Sequence, residues 1–138
     1  MVLDEKSVRR AVIAWLSRQG YNRKLQEKET AEHGVDIKVR HHKYPRYFLV
    51  EVKGEPNPKT NKSVSSAIEV NFNYVLGQIV SRMRYKAKYW YAIALPLAYK
   101  EKVLRRLSPQ ICKKLNLNVL IVDKFKKVNK IIGNFRVK

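Results

Sequence analysis

Asp36, Glu51 and Lys53 are the residues whose types and spacing could do chemistry together. Residues 35–40 alternate, with Val35, Ile37 and Val39 on one side and Asp36, Lys38 and Arg40 on the other. Residues 47–53 alternate too, with Phe48, Val50 and Val52 against Tyr47, Leu49, Glu51 and Lys53. Successive side chains of a strand point to opposite faces, so Glu51 and Lys53 share one face. The polar stretch 41–46, with Pro45, reads as the turn of a hairpin. In that hairpin Asp36, also out of phase with its strand's apolar run, lies on the same face. Two carboxylates are the hard oxygen donors that Mg²⁺ combines with water and substrate phosphate. Such a cation lowers the pKa of a bound water and stabilises a crowded phosphate. A lysine adds positive charge beside the attacking water or the scissile phosphate.

A bland alternative exists, because surface strands often carry Asp, Glu and Lys outward. Against it, Phe48-Leu49-Val50 and Val52 make the second strand nearly continuously apolar. Strands of that kind tend to be buried on both faces, and a buried acid and lysine then need a reason.

The surrounding elements can be read from periodicity. Residues 4–19 read as a helix, with Asp4 as N-cap, Val8, Ala11, Val12, Trp15 and Leu16 at helical spacing, and Gly20 as a C′ stop. Residues 21–27 give a weak first strand. Residues 54–63 are a loop by composition. A second long helix is expected over 64–84, with the apolar stripe Val64, Ile68, Phe72, Val75, Leu76, Ile79 and Met83. A strand over 89–95 ends at Pro96, and its Tyr89, Trp90 and Tyr91 read as core and not as a base-stacking platform. A helix over 98–106, a short helix from Pro109 to Leu115, a strand over 118–122 and an edge strand within 127–136 complete the chain. Strands alternating with helices imply an α/β sandwich with a mixed sheet, in a single domain over 1–138.

Charge sets the expected partner. The chain holds 30 Lys and Arg against 11 Asp and Glu, a net charge of +19. Residues 1–54 hold 12 basic against 7 acidic residues, and residues 55–138 hold 18 against 4. A positive field of this size favours nucleic acid. No basic amphipathic helix or lipidation motif points to a membrane surface. The one cysteine, Cys112, excludes an internal disulfide and a Cys-based zinc site, fits a reducing compartment and reads as a packing residue. With no apolar run of signal-peptide or membrane-span type, the expectation is a soluble, cytoplasmic protein.

Gly34-Val35-Asp36-Ile37, a hairpin, then Glu51-Val52-Lys53 resembles the PD-(D/E)XK nuclease superfamily, the restriction-endonuclease-like fold that includes junction-resolvase and RecB-type nucleases. The element order from residue 4 to about 122 is similar; the proline that usually precedes the aspartate is Val35 here. The resemblance implies a three-layer sandwich with an α-β-β-β-α-β core and a metal-dependent DNA endonuclease. It implies Mg²⁺ or Mn²⁺ held by Asp36 and Glu51, with help from the Val52 carbonyl, and Lys53 assisting catalysis. Glu5 falls in phase with Val8, Val12, Trp15 and Leu16, and by resemblance an acid on this helix would reach the metal; the alternative is a first-turn carboxylate favouring the helix dipole. Glu29 and Glu32 are substitutes for it as third acid, with a solvated loop as their plainer reading. Gln78 lies on the flank Asn71, Tyr74, Gln78, Arg82 and Tyr85 of the second helix, where RecB-like members place a glutamine near the site; its alternative is a boundary polar residue. Arg82, Arg84, Asn71, Lys59 and Lys62 are expected nucleic-acid contacts. His33, His41 and His42 fit no familiar metal spacing and read as exposed turn residues. A homodimer is expected by resemblance. The competing function is a basic nucleic-acid-binding protein without catalysis.

Overall fold

The computed structural model describes residues 2–24, 35–56, 63–83 and 88–133. Helix α1 (Glu5–Arg18) is followed by strands β1 (Arg23–Lys24), β2 (Ile37–Arg40) and β3 (Tyr47–Val52), then helix α2 (Val64–Arg82) and strand β4 (Tyr89–Pro96). A 3₁₀ turn (Leu97–Tyr99), helices α3 (Lys100–Arg106) and α4 (Pro109–Leu115), and strands β5 (Leu117–Val122) and β6 (Val128–Ile132) follow. The six strands form one sheet in sequence order. β1, β2 and β3 are antiparallel neighbours, β3, β4 and β5 run parallel, and β6 returns antiparallel. The chain is thus an α/β sandwich of three layers around a mixed sheet, with the helix, three strands, helix, strand order read from its sequence.

Strand phase sorts the core into two halves. Ile37, Val39, Phe48, Val50, Val52, Ala92, Ala94, Leu120 and Val122 face α1, which presents Val8, Ala11, Val12, Trp15 and Leu16. Leu49, Tyr91, Ile93, Leu95, Leu117, Val119 and Ile121 face α2, α3 and α4. The parallel strands β4 and β5 are buried on both faces, the expected state for strands covered on both sides by helices. Asp4 caps α1 by accepting a hydrogen bond from the Ser7 N–H at 2.8 Å. Gly20 ends the helix at φ +94°, and a Cβ there would stand 2.5 Å from His41 Nε2. Glycine meets both requirements at once.

Several boundaries differ from the sequence reading. β1 is described over Arg23–Lys24, and residues 25–27 of the expected strand lie outside the described residues. α2 ends at Arg82, and Val64 is 58% exposed because the first turn of α2 has not yet reached the sheet; Leu76 and Met83 pack at the rim of the core. Pro96 is the last residue of β4 and not a break before it, its missing N–H costing nothing at a strand end. The following helix starts with the 3₁₀ turn, which sets the buried Tyr99 into the core beside α2. Tyr91 is buried, while Tyr89 and Trp90 are half-buried. Among the described residues no helix is long and apolar enough to cross a membrane.

Candidate active site

β2 and β3 pair with Ile37 opposite Val50. Asp36 is a bend just before β2, and its carboxyl lies close enough to act on that of Glu51. The Val52 N–H donates to Asp36 Oδ2 at 2.7 Å, so the aspartate is anchored to the backbone of the strand that carries its partner. This contact uses the Val52 N–H and does not engage the carbonyl expected to help hold a metal.

Glu51 is 1% exposed, on the sheet face covered by α2. Its Oε1 is a buried oxygen with no hydrogen-bond partner among the described residues. The nearest cation is Arg82, whose Nε lies 3.7 Å from that oxygen, near enough for an ion pair and too far for a hydrogen bond. Arg82 Nε is itself buried and without a hydrogen bond. Burial pushes the Glu51 carboxyl up to about 8, the Asp36 charge and a hydrogen bond with Asp36 push the same way, and Arg82 opposes them. Two carboxylates that share a site do not both ionise readily.

Lys53 is half-buried, and its Nζ lies 5.3 Å from the centre of the Tyr74 ring, a cation–π contact that fixes where the ammonium points. Its backbone N–H donates to the Ala94 carbonyl at 3.1 Å, which fastens the end of β3 to β4. The next residue, Gly54, touches the start of α1: a Cβ at Gly54 would lie 2.4 Å from the Glu5 nitrogen. The Gly54 carbonyl accepts the Tyr99 hydroxyl at 2.7 Å, and Asn71 Nδ2 donates to that hydroxyl at 3.0 Å. Helix α1, helix α2 and the 3₁₀ turn thus converge directly behind Lys53.

Tyr74, Gln78 and Arg82 recur every four residues and form one stripe of α2. Since Tyr74 meets Lys53 and Arg82 meets Glu51, half-buried Gln78 falls between the two contacts. The structure therefore brings Asp36, Glu51, Lys53 and the Gln78 stripe to one place. Two of the expected nucleic-acid contacts are engaged internally: Asn71 holds Tyr99, and Arg82 turns toward Glu51 with its side chain 34% exposed. Glu5 is exposed despite its phase, since the first turn of α1 sits past the end of β3, beside Gly54. Among the described residues no three His, Cys, Asp or Glu side chains gather to hold a metal ion, so Glu5 does not complete a triad with Asp36 and Glu51. Glu29, Glu32, His33, Lys59, Lys62, Arg84 and Tyr85 lie outside the described residues. His41 is not an exposed turn residue: it is 2% exposed, edge-on to Tyr21 and stacked on His42. Tyr74 and Arg82 as direct partners of the site escaped the sequence reading, although the four-residue repeat on α2 carried the signal.

No family model matches the chain, and no curated protein does. Among solved structures the chain is similar to an XisH family protein from Nostoc punctiforme PCC 73102, at 20% identity over 70% of this chain and 73% of that one, with a TM-score of 0.45. The site's own geometry carries the functional reading.

Proposed function

We propose that the chain is a divalent-metal-dependent nuclease of the restriction-endonuclease-like kind, acting on DNA. The observation that carries this is the buried Glu51 carboxylate, with one oxygen lacking a hydrogen bond, set against Asp36 and beside a positioned Lys53. An unsatisfied buried oxygen is costly, and hard donors of this kind suit Mg²⁺ or Mn²⁺, which need only one or two carboxylates from the protein. When bound, the cation supplies an acidified water and neutralises phosphate charge.

The chain's own residues do the rest. Asp36, just before β2, and Glu51, on β3, would hold the cation. The Val52 N–H keeps Asp36 oriented. Tyr74 holds the Lys53 ammonium at the mouth of the site, where it stands beside the scissile phosphate and offsets the charge that grows there. The Lys- and Arg-rich second half of the chain grips the phosphate backbone, so binding weakens steeply with salt.

The alternative, a basic nucleic-acid-binding protein without catalysis, has one observation in its favour: Arg82 already gives Glu51 a counter-charge at 3.7 Å. The two readings separate on incubation with supercoiled, linear, single-stranded and branched DNA, and with RNA, in Mg²⁺, Mn²⁺ or EDTA. Asp36→Ala and Lys53→Ala run alongside. The nuclease reading expects metal-dependent cleavage that falls about a hundredfold or more in either variant. Metal-independent cleavage, or equal cleavage by the variants, sinks it. Tight binding with no cleavage of any substrate leaves the non-catalytic reading.

A further inference from the structure

The hairpin between β5 and β6 carries a tip that its packing does not explain. Phe125 is 71% exposed, the highest exposure among the large hydrophobic residues of the described chain. Lys124, Lys126 and Lys127 surround it, all exposed. An isolated exposed apolar residue needs no explanation, but this tip is built to stay as it is. Asp123 Oδ1 accepts from the Phe125 N–H at 2.9 Å and from the Lys127 N–H at 3.1 Å. The Asp123 N–H donates to the Lys127 carbonyl at 2.9 Å, and the Lys126 N–H to the Asp123 carbonyl at 3.0 Å. Lys126 sits at φ +62°, a conformation where glycine or asparagine is less strained. A lysine is thus kept at a turn position that disfavours it, beside an aromatic ring facing solvent.

The position of the tip gives the rest. β3, β4 and β5 are parallel, so the tip leaves the same end of the sheet as Lys53. Two strand spacings separate β3 from β5, about 10 Å. Between them lies a cleft of about 710 Å³ walled by Val2, Leu3, Leu97 and Phe125, with Asp4 and Glu55 also in its lining. Apolar walls accept the face of a base, and the two acids repel phosphate. Lys124 and Lys126 also line the cleft, beside Phe125, and offer phosphate the opposite charge. Lys124 Nζ lies 5.3 Å from the Phe125 ring centre, covering one part of the ring and leaving Phe125 largely open.

We propose that the Phe125 tip is a nucleic-acid contact that stacks on an unpaired base, with Lys124, Lys126 and Lys127 on the flanking phosphates, so that the preferred substrate has single-stranded or unpaired character next to the bond that is cut. The position of the cut rests on the nuclease reading above; the binding does not. Stacking on an aromatic side chain works for any base, since every base has a π-face, so the tip selects structure and not sequence.

The test is equilibrium binding in EDTA, read by fluorescence anisotropy, to a short single strand and to a blunt duplex of the same length across a salt series. The expected result is that Phe125→Ala lowers single-strand affinity about tenfold or more, with duplex affinity kept within about twofold, while Phe125→Trp retains the single-strand affinity. Combined Lys124→Ala, Lys126→Ala and Lys127→Ala should weaken both ligands and flatten the salt dependence. Unchanged single-strand affinity in Phe125→Ala overturns the proposal, as does an equal loss on both ligands. So does a dimer in the wild type that Phe125→Ala dissolves, which would make the tip a contact between copies. Since no metal is present, loss of this preference with cleavage intact removes only the tip's role, and persistence of it in a protein that never cleaves removes only the nuclease.

Discussion

Glu51 and Glu69 are two glutamates that meet cations at α2, and their surroundings drive them in opposite directions. Glu69 is 36% exposed and pairs with Lys102 at 3.2 Å and with Arg106, joining α2 to α3. Its carboxyl is held below the usual carboxylate range, first by its hydrogen bond to Lys102 and then by the Arg106 charge. Glu51 is 1% exposed, faces a second carboxylate, has one cation at 3.7 Å and is pushed up to about 8. The pair at Glu69 is a solvated clasp of the kind that adds little stability. The site at Glu51 combines burial, like charge and an unsatisfied oxygen, which structural economy alone does not favour.

The comparison breaks most easily on activity. Glu51→Ala should lower metal-dependent cleavage about a hundredfold or more, while Glu69→Ala leaves it unchanged, measured on the substrate cut best by the wild type. If both variants cleave alike, the two glutamates differ in burial only.

The two sites also differ in the sign of their pH dependence. Glu51 keeps its proton in the folded chain up to about 8, against an ordinary value of 4.5. Above the ordinary value the unfolded chain has lost a proton that the folded chain retains, so stability falls as pH rises toward 8. The fall is read from urea unfolding without metal, and Glu51→Gln should flatten it. Glu69 works the other way: its lowered value gives stability that is present at neutral pH and lost as pH falls through the acid range. Glu69→Gln should touch only that acid limb.

Cation addition sharpens the contrast. At pH 8, Mg²⁺ or Mn²⁺ at a hundred times its dissociation constant should stabilise the wild type by about 2.7 kcal/mol, seen as a rise in Tm. Glu51→Gln should lose most of that rise and Glu69→Gln none. The smallest expected effect is at Tyr74. Tyr74→Leu removes the ring beneath Lys53 and should slow cleavage about two- to fivefold, whereas Tyr74→Phe keeps the ring and the rate.

What could be read from the sequence follows from the range of each rule. Strand alternation is local, so the shared face of Glu51 and Lys53 is legible from residues 47–53, and the three-layer order of elements from the whole pattern. Val35, expected beside Ile37 and Val39, packs with Leu49 on the other side because β2 begins only at Ile37. Helix phase gives the direction a residue faces but not how far along the neighbouring layer it stands. Glu5 and Val64 share that cause: each has inward phase, and each belongs to a first turn lying beyond the sheet. Arg82 and Asn71 both read as nucleic-acid contacts, because the partner of Arg82 is 31 positions away in the chain and nothing local links Asn71 to Tyr99. The Phe125 tip leaves no trace in a hydrophobic pattern, because its shape comes from the Asp123 hydrogen bonds and a left-handed lysine.

Gly54 has a consequence for how the chain can vary. Its absent side chain lets the start of α1 lie against the residue after Lys53, and its carbonyl takes the Tyr99 hydroxyl. A single methyl group would therefore act as a wedge at a joint shared by α1, β3 and the 3₁₀ turn. Gly54→Ala would alter no charge and no proposed ligand, yet it would displace the lysine next to it. The position is one where a search among variants should find hardly any tolerated change, although nothing about the glycine itself takes part in chemistry.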